Sequence, residues 1–196
     1  MQTDLMDSQT GWRRFRAGDR LAYEWLIRTH YRTLFDYGMR FSKDREFIKD
    51  NIHDFFLNLW ERRSRLNETE RVKFYLLKAF RHQIFKAKRR NTWVGEEAFD
   101  DVELHTGSLE QTMIAEETIT LQYTRLQELL AQLTPRQQEV LHLKFYDNLT
   151  YEEIAEVLHI SRPAVYNISS AALRELRQSW GAYHGLLVYI VANLPI

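Results

Sequence analysis

The chain has 196 residues, with 27 Lys and Arg balanced by 27 Asp and Glu, 44% hydrophobic residues, 13% aromatics and no cysteine. That composition excludes a disordered chain, a disulfide scaffold, a cysteine nucleophile and thiolate metal sites, and the length suits one domain or two small ones. The zero net charge, taken whole, speaks against a nucleic-acid partner, whose footprint is a basic excess.

Partition along the chain reverses that impression. Residues 1–90 hold 21 basic and 12 acidic residues, a net of +9. Residues 91–124 hold eight acids and no Lys or Arg, and residues 125–196 have a net of −1. A basic block beside an acidic block is a hint of nucleic-acid contact. With only three prolines and seven glycines, and apolar residues at helical spacing, the expected fold is all-α.

In chain order, Met1–Arg16 lacks the apolar centre of a signal peptide. Leu21, Trp25, Leu26, Leu34, Tyr37 and Phe41 then recur at three-and-four spacing. Ile48, Ile52, Phe55, Phe56, Leu59 and Trp60 do the same, as do Leu76, Leu77, Phe80, Ile84 and Ala87. Three amphipathic helices with such stripes can bury one shared core. Within Lys73–Arg90 there are seven cations and no acid. Lys78, His82, Lys86 and Arg89 share one side of that helix, with Arg81 and Arg90 beside them. A basic face interleaved with Phe74, Tyr75, Phe80 and Phe85 suits phosphate contact and base stacking on single-stranded DNA. A solvated basic face is the plain alternative.

The segment 91–117, with Gly95, Gly107 and Ser108, reads as an acidic linker, and Thr118–Leu133 as a further helix. Thr134 caps the next helix, with Pro135 at its first position and Gln137 completing a capping box. That helix breaks at Asp147-Asn148. Thr150 caps a short helix with Glu152 and Glu153 at its positive end. His159-Ile160-Ser161 turns the chain, and Ser161 and Pro163 open a third helix through Val165, Ile168, Ala172, Leu173 and Leu176. A short capped helix, a three-residue turn and a longer helix describe a helix-turn-helix, whose second helix can enter a major groove. On it, Asn167 suits adenine, Arg162 guanine or phosphate, and Ser169 and Ser170 phosphates, with Tyr166 and Arg174 on the exposed side. A helical hairpin, or a helix-turn-helix used for protein contact, has the same spacing. The tail 185–196 is apolar, but a bilayer span takes about 20 residues.

The run Leu133–Ser161 resembles the start of domain four of RNA polymerase sigma factors of the extracytoplasmic-function type, and Phe47–Trp60 resembles the polymerase-clamp helix of their domain two. The resemblance covers roughly 15–90 and 125–178. It implies sigma domain two over residues 1–90, an acidic linker over 91–117 and domain four over 118–196. The implied function is a transcription initiation factor that binds the clamp and flap regions of core RNA polymerase and reads and melts promoter DNA. An anti-sigma factor is the implied inhibitory partner. The resemblance places the polymerase interface on Asp50, His53, Asp54, Asn58 and Trp60, and downstream-element reading on the basic helix and the loop Ser64–Arg71. In that loop Asn67, Glu68 and Thr69 suit the edge of a flipped base. The linker acids, DNA-like in charge, match the polymerase's positive channel or serve as a solubilising spacer. The sequence departs from the pattern at Tyr166, Ile168 and Ala171, where the family's third helices carry Lys or Arg.

The seven histidines are scattered without metal-ligand spacing, and no phosphate-cradling glycine loop or nucleophile elbow occurs. The expectation is therefore a non-enzyme without cofactor, metal, small-molecule substrate or transmembrane segment, working in the cytoplasm. Two other classes stay open: a stand-alone helix-turn-helix regulator with an N-terminal sensing or dimerisation domain, and an interaction module that binds polymerase without reading DNA.

Overall fold

The computed structural model describes residues 7–91 and 126–179. The expected linker, the apolar tail and the first half of the helix expected over 118–133 lie outside the described residues. The chain forms two compact units, Met1–Ala98 and Phe99–Ile196. All regular structure among the described residues is helical.

The first unit contains α1 (Ser8–Arg16), α2 (Arg20–Gly38), α3 (Arg45–Arg62), a 3-10 turn (Arg63–Arg65) and α4 (Val72–Asn91). Aspartates open the first three. Asp7 accepts from the amides of Gln9 and Thr10, Asp19 from Leu21 and Ala22, and Asp44 from Phe47 at 3.0 Å. Each satisfies amide groups the helix start would otherwise leave unpaired, worth about 1 kcal/mol apiece. The Arg14 guanidinium, 2.7 Å from Asp19, together with the amide bonds, holds the Asp19 carboxyl below its ordinary range.

The three expected stripes form the core through Trp25, Leu26, Leu34, Tyr37, Ile48, Ile52, Phe55, Phe56, Leu59, Leu76, Leu77, Phe80 and Ile84. Aromatic rings knit α3 to α4, with Phe55 edge-on to Phe80 at 5.5 Å, and Phe41 reaches Phe85 at 5.3 Å. Such pairs add to the burial term itself. Two polar staples close the unit: Gln83 donates to the Asn51 carbonyl at 2.7 Å and Lys88 to the Phe41 carbonyl at 2.6 Å.

Two expectations are corrected here. Leu21 is 59% exposed; Ala22, Trp25 and Leu26 set the buried face of α2, and Leu21 falls one residue off it. Helix α1 was not expected, yet its Trp12 and Phe15 are fully buried. Gly11 lets it settle on α2, since a Cβ there would run into the Trp25 ring.

His30 sits buried on α2, edge-on to Trp25 at 6.3 Å, and its Nε2 has no hydrogen-bond partner. Burial, aided by the charge of Lys73, pulls its pKa from 6.5 down to about 4. The folded chain therefore keeps His30 neutral where the unfolded chain takes up a proton. Its contribution is complete above pH 6.5 and is lost as pH falls towards 4, by roughly 2–3 kcal/mol. Urea unfolding of the full chain between pH 7 and pH 4 measures this. The stability lost over that range should shrink by about that amount in His30→Leu; an unchanged pH dependence would contradict it.

In the second unit a helical segment, α5, is described over 126–132. It is followed by α6 (Pro135–Leu141), which runs on as a π turn (His142–Tyr146), then α7 (Tyr151–Leu158) and α8 (Arg162–Ser179). The expected capping box of Thr134 with Gln137 is present, and the expected cap Thr150 forms a second one with Glu153. The chain breaks where expected, with Asn148 at φ 56° and His159 at φ 54° in the left-handed region. Polar residues tolerate that conformation in single turn positions. Leu133, Leu141 and Ala172 pack with Leu130, Phe145, Leu173 and Leu176. Gln137 donates to Glu175 at 3.0 Å and Arg136 to the Leu158 carbonyl at 3.0 Å, tying α6 to α8 and to the end of α7.

Candidate functional site

Three surfaces and one loop collect the residues singled out from the sequence. On α3, Asp50, His53, Asp54 and Asn58 all point outward. Their three-and-four spacing makes one stripe, and Leu57, missed in the sequence reading, lies in the middle of it at 46% exposure. Neither Asp50 nor Asp54 makes an ion pair among the described residues. Asn58 turns its amide back to the Asp54 carbonyl at 2.7 Å. Trp60 does not belong to the stripe. It faces inward, 4.8 Å from the Tyr23 ring, with the Arg63 guanidinium 4.2 Å from its own ring centre. Residue 60 follows Phe56 by four, and its side chain stays half-buried beside the exposed stripe.

On α4, His82, Lys86, Arg89 and Arg90 are exposed and lie along one side, with half-buried Lys78 one turn earlier beside the Phe74 ring, 5.6 Å away. Lys86, His82 and Arg90 have no internal partner among the described residues, so the charges of Lys86 and Arg90 are available to an anion. Arg81 is the exception. It is only 5% exposed and stacks its guanidinium on Phe85 at 4.4 Å, so the expected DNA contact is corrected. It follows Leu77 by four and precedes Ile84 by three, which puts it on the apolar face.

The loop between the 3-10 turn and α4 is fastened to α1. The Trp12 indole Nε1 donates to the Asn67 carbonyl at 3.1 Å, Arg13 pairs with Glu68, and Gln9 donates to Glu70 at 3.0 Å. Thr69 Oγ1 accepts from the Arg71 amide at 3.1 Å. Of the three expected base-edge groups, only the Asn67 side chain is left exposed without a partner.

In the second unit, α7 and α8 form the helix-turn-helix expected from the sequence. Tyr166 and Asn167 are exposed on α8 and Ser170 is half-buried. Tyr166 meets the edge of Tyr151 at 5.9 Å, and Lys144 lies 4.9 Å over the Tyr151 ring. Arg162 Nε pairs with Glu152 Oε1 at 2.6 Å, both well exposed, so a nucleic acid must compete with that carboxylate for the guanidinium. Ser169 is 1% exposed and its hydroxyl has no partner. The expected phosphate contact from Ser169 is corrected, since it lies in register with buried Val165 and Ala172. Among the described residues no cluster of three or more His, Asp or Glu is arranged to hold a metal ion. No helix among them is long and apolar enough to cross a membrane.

The first unit thus carries an acidic stripe and a cationic face, and the second a helix-turn-helix. Residues 26–94 match the family model Sigma-70 region 2, and residues 129–178 match Sigma-70, region 4. The chain belongs to the sigma-70 family of RNA polymerase sigma factors, which are non-enzymatic transcription initiation factors. Two solved structures share the fold. One is CnrH in complex with the cytosolic domain of CnrY, 17% identical over 88% of this chain and 96% of that one, with a TM-score of 0.60. The other is the sigma factor RpoE in complex with the anti-sigma factor NepR from Bartonella quintana, 13% identical over 82% and 97%, with a TM-score of 0.56. Comparison with curated protein sequences gives no match.

Proposed function

We propose that this sigma factor docks on the clamp of core RNA polymerase through the α3 stripe of Asp50, His53, Asp54, Leu57 and Asn58. It opens the downstream promoter element with the α4 face and the loop 64–71. Its second unit, held near the flap region, sets α8 on the upstream element through Tyr166, Asn167 and Arg162. The observation that carries this reading is the pairing, within one unit, of an acidic stripe without ion pairs and a cationic face without partners at Lys86 and Arg90 among the described residues. The first suits a basic protein surface and the second a DNA strand.

The acidic segment 91–117 serves as the linker between domain two (1–90) and domain four (118–196), occupying the polymerase's positive channel until nucleic acid fills it. The protein works in the cytoplasm and carries no catalysis of its own. An anti-sigma factor is its inhibitory partner, a reading supported by the complexes of CnrH with CnrY and RpoE with NepR.

Affinity for DNA then comes from linkage. The reader unit has a net charge of −1 over residues 125–196 and its Arg162 is already paired, so each contact alone is weak. Tethering both units to one polymerase raises their effective concentration at the promoter. The protein alone should bind promoter duplex only in the non-specific range, about 10⁻⁴–10⁻⁶ M at physiological salt. With core polymerase present, binding should become sequence-specific. Fluorescence anisotropy with and without core polymerase measures both. Tight, specific duplex binding by the isolated protein would favour the stand-alone regulator instead.

A further inference from the structure

Helix α1 presents Gln9, Trp12 and Arg13 on one face, and these reach Glu70, Asn67 and Glu68 of the loop before α4. The Trp12 ring is 0% exposed and is wedged between Phe15 at 5.3 Å and Tyr75 at 5.2 Å. The indole N–H that holds the Asn67 carbonyl therefore has no freedom to move away, and through Tyr75 it is referenced to the cationic helix as well. Gly11 completes the arrangement by letting α1 approach Trp25. The matched region 2 segment begins at residue 26, so the whole of α1 lies before it.

We infer that α1 is a positioning element for base recognition: Trp12 and Arg13 hold the loop so that the Asn67 side chain alone meets one unstacked base of the opened promoter strand. This deepens the proposed role of the loop and rests on it.

The chemistry of each contact supports the assignment. Two loop acids, Glu68 and Glu70, would stand beside a phosphate chain and repel it. Arg13 neutralises the first and Gln9 occupies the second. Thr69 is half-buried and its oxygen already accepts from the Arg71 amide. Asn67 is left with a donor and an acceptor side by side, the pattern that matches adenine. A loop fixed before binding loses less conformational freedom when the base arrives, and a fixed amide rejects bases it cannot pair with.

The test uses the full chain with core polymerase and a pool of promoters randomised across the downstream element, sequencing the templates recovered as open complexes. Asn67→Ala should flatten the preference at one position and leave its neighbours unchanged. Trp12→Phe keeps an aromatic ring and removes the N–H, and should weaken the preference at that same position about fivefold to tenfold. Arg13→Glu should do likewise, and Arg13→Glu combined with Glu68→Arg should restore it. If Trp12→Phe and Arg13→Glu lower the yield of all templates equally with base preference intact, α1 only supports the fold and the inference fails. If Asn67→Ala alters no position, base reading by the loop fails with it. Arg13 is exposed, so its variants report even if Trp12→Phe is poorly folded.

Discussion

Asp54→Arg is expected to abolish docking on core polymerase, weakening it at least a hundredfold, about 2.7 kcal/mol, while leaving the fold intact. The separation of the two effects follows from position. Asp54 is exposed at mid-helix and has no ion pair among the described residues, and arginine is a good helix former, so stability should change by no more than about 0.5 kcal/mol. At an interface the reversal replaces attraction by repulsion and leaves a partner cation facing like charge. Leu57→Ala should act in the same direction through lost apolar contact, by about 1–2 kcal/mol. Glu24→Arg is the control. It reverses an equally exposed charge on α2, where Glu24 pairs only loosely with Arg28 at 3.7 Å, and should leave polymerase affinity unchanged. Competition binding to core polymerase, with thermal unfolding alongside, reads all three. Wild-type affinity in Asp54→Arg would place the interface elsewhere.

The second large effect belongs to α4. Lys86→Glu with Arg90→Glu should reduce open-complex formation on the order of a hundredfold while polymerase affinity changes little. Both side chains are exposed and have no partner among the described residues. Each cation that meets a single-stranded phosphate contributes about 0.7 to the slope of log affinity against log salt. The double variant should therefore flatten the salt dependence of promoter opening as well as slow it. Permanganate footprinting over a salt series measures both. An equal loss of opening and of polymerase binding would make α4 structural or polymerase-facing.

Much of this was legible from spacing and caps. Thr134 with Gln137, the cap Thr150 and the turn at His159 were all readable because each capping motif satisfies a fixed set of backbone groups with local residues. The stripes of α2, α3 and α4 were readable because wide apolar faces dominate three-and-four spacing. The errors share one cause: residue type was weighed above register. Arg81 falls between Leu77 and Ile84, and Ser169 between Val165 and Ala172. Spacing alone assigns both to buried faces, as found, and the same spacing places Leu57 between His53 and Asn58 on the outside. Helix α1 was missed because a nine-residue helix with two large apolar residues gives too little period to recognise, although Asp7 and the pair Trp12 and Phe15 were its signals.

What spacing does not carry is contact between elements. The pairing of Arg162 with Glu152, which mutes the cation at the start of the reader helix, joins α8 to α7. The hold of Trp12 on the Asn67 carbonyl spans 55 residues. Both depend on how the helices close on one another, and both change the functional reading. The first makes α8 a weak reader that relies on tethering, and the second makes the downstream loop a fixed one.

The central claim is that this protein gives core RNA polymerase its promoter. Transcription from a promoter library by core polymerase, with and without the protein, tests it most directly. The account predicts defined start sites downstream of a shared pair of elements only when both are present, and their loss with Asp54→Arg. Start sites that do not change when the protein is added, together with specific duplex binding by the protein alone, would contradict it.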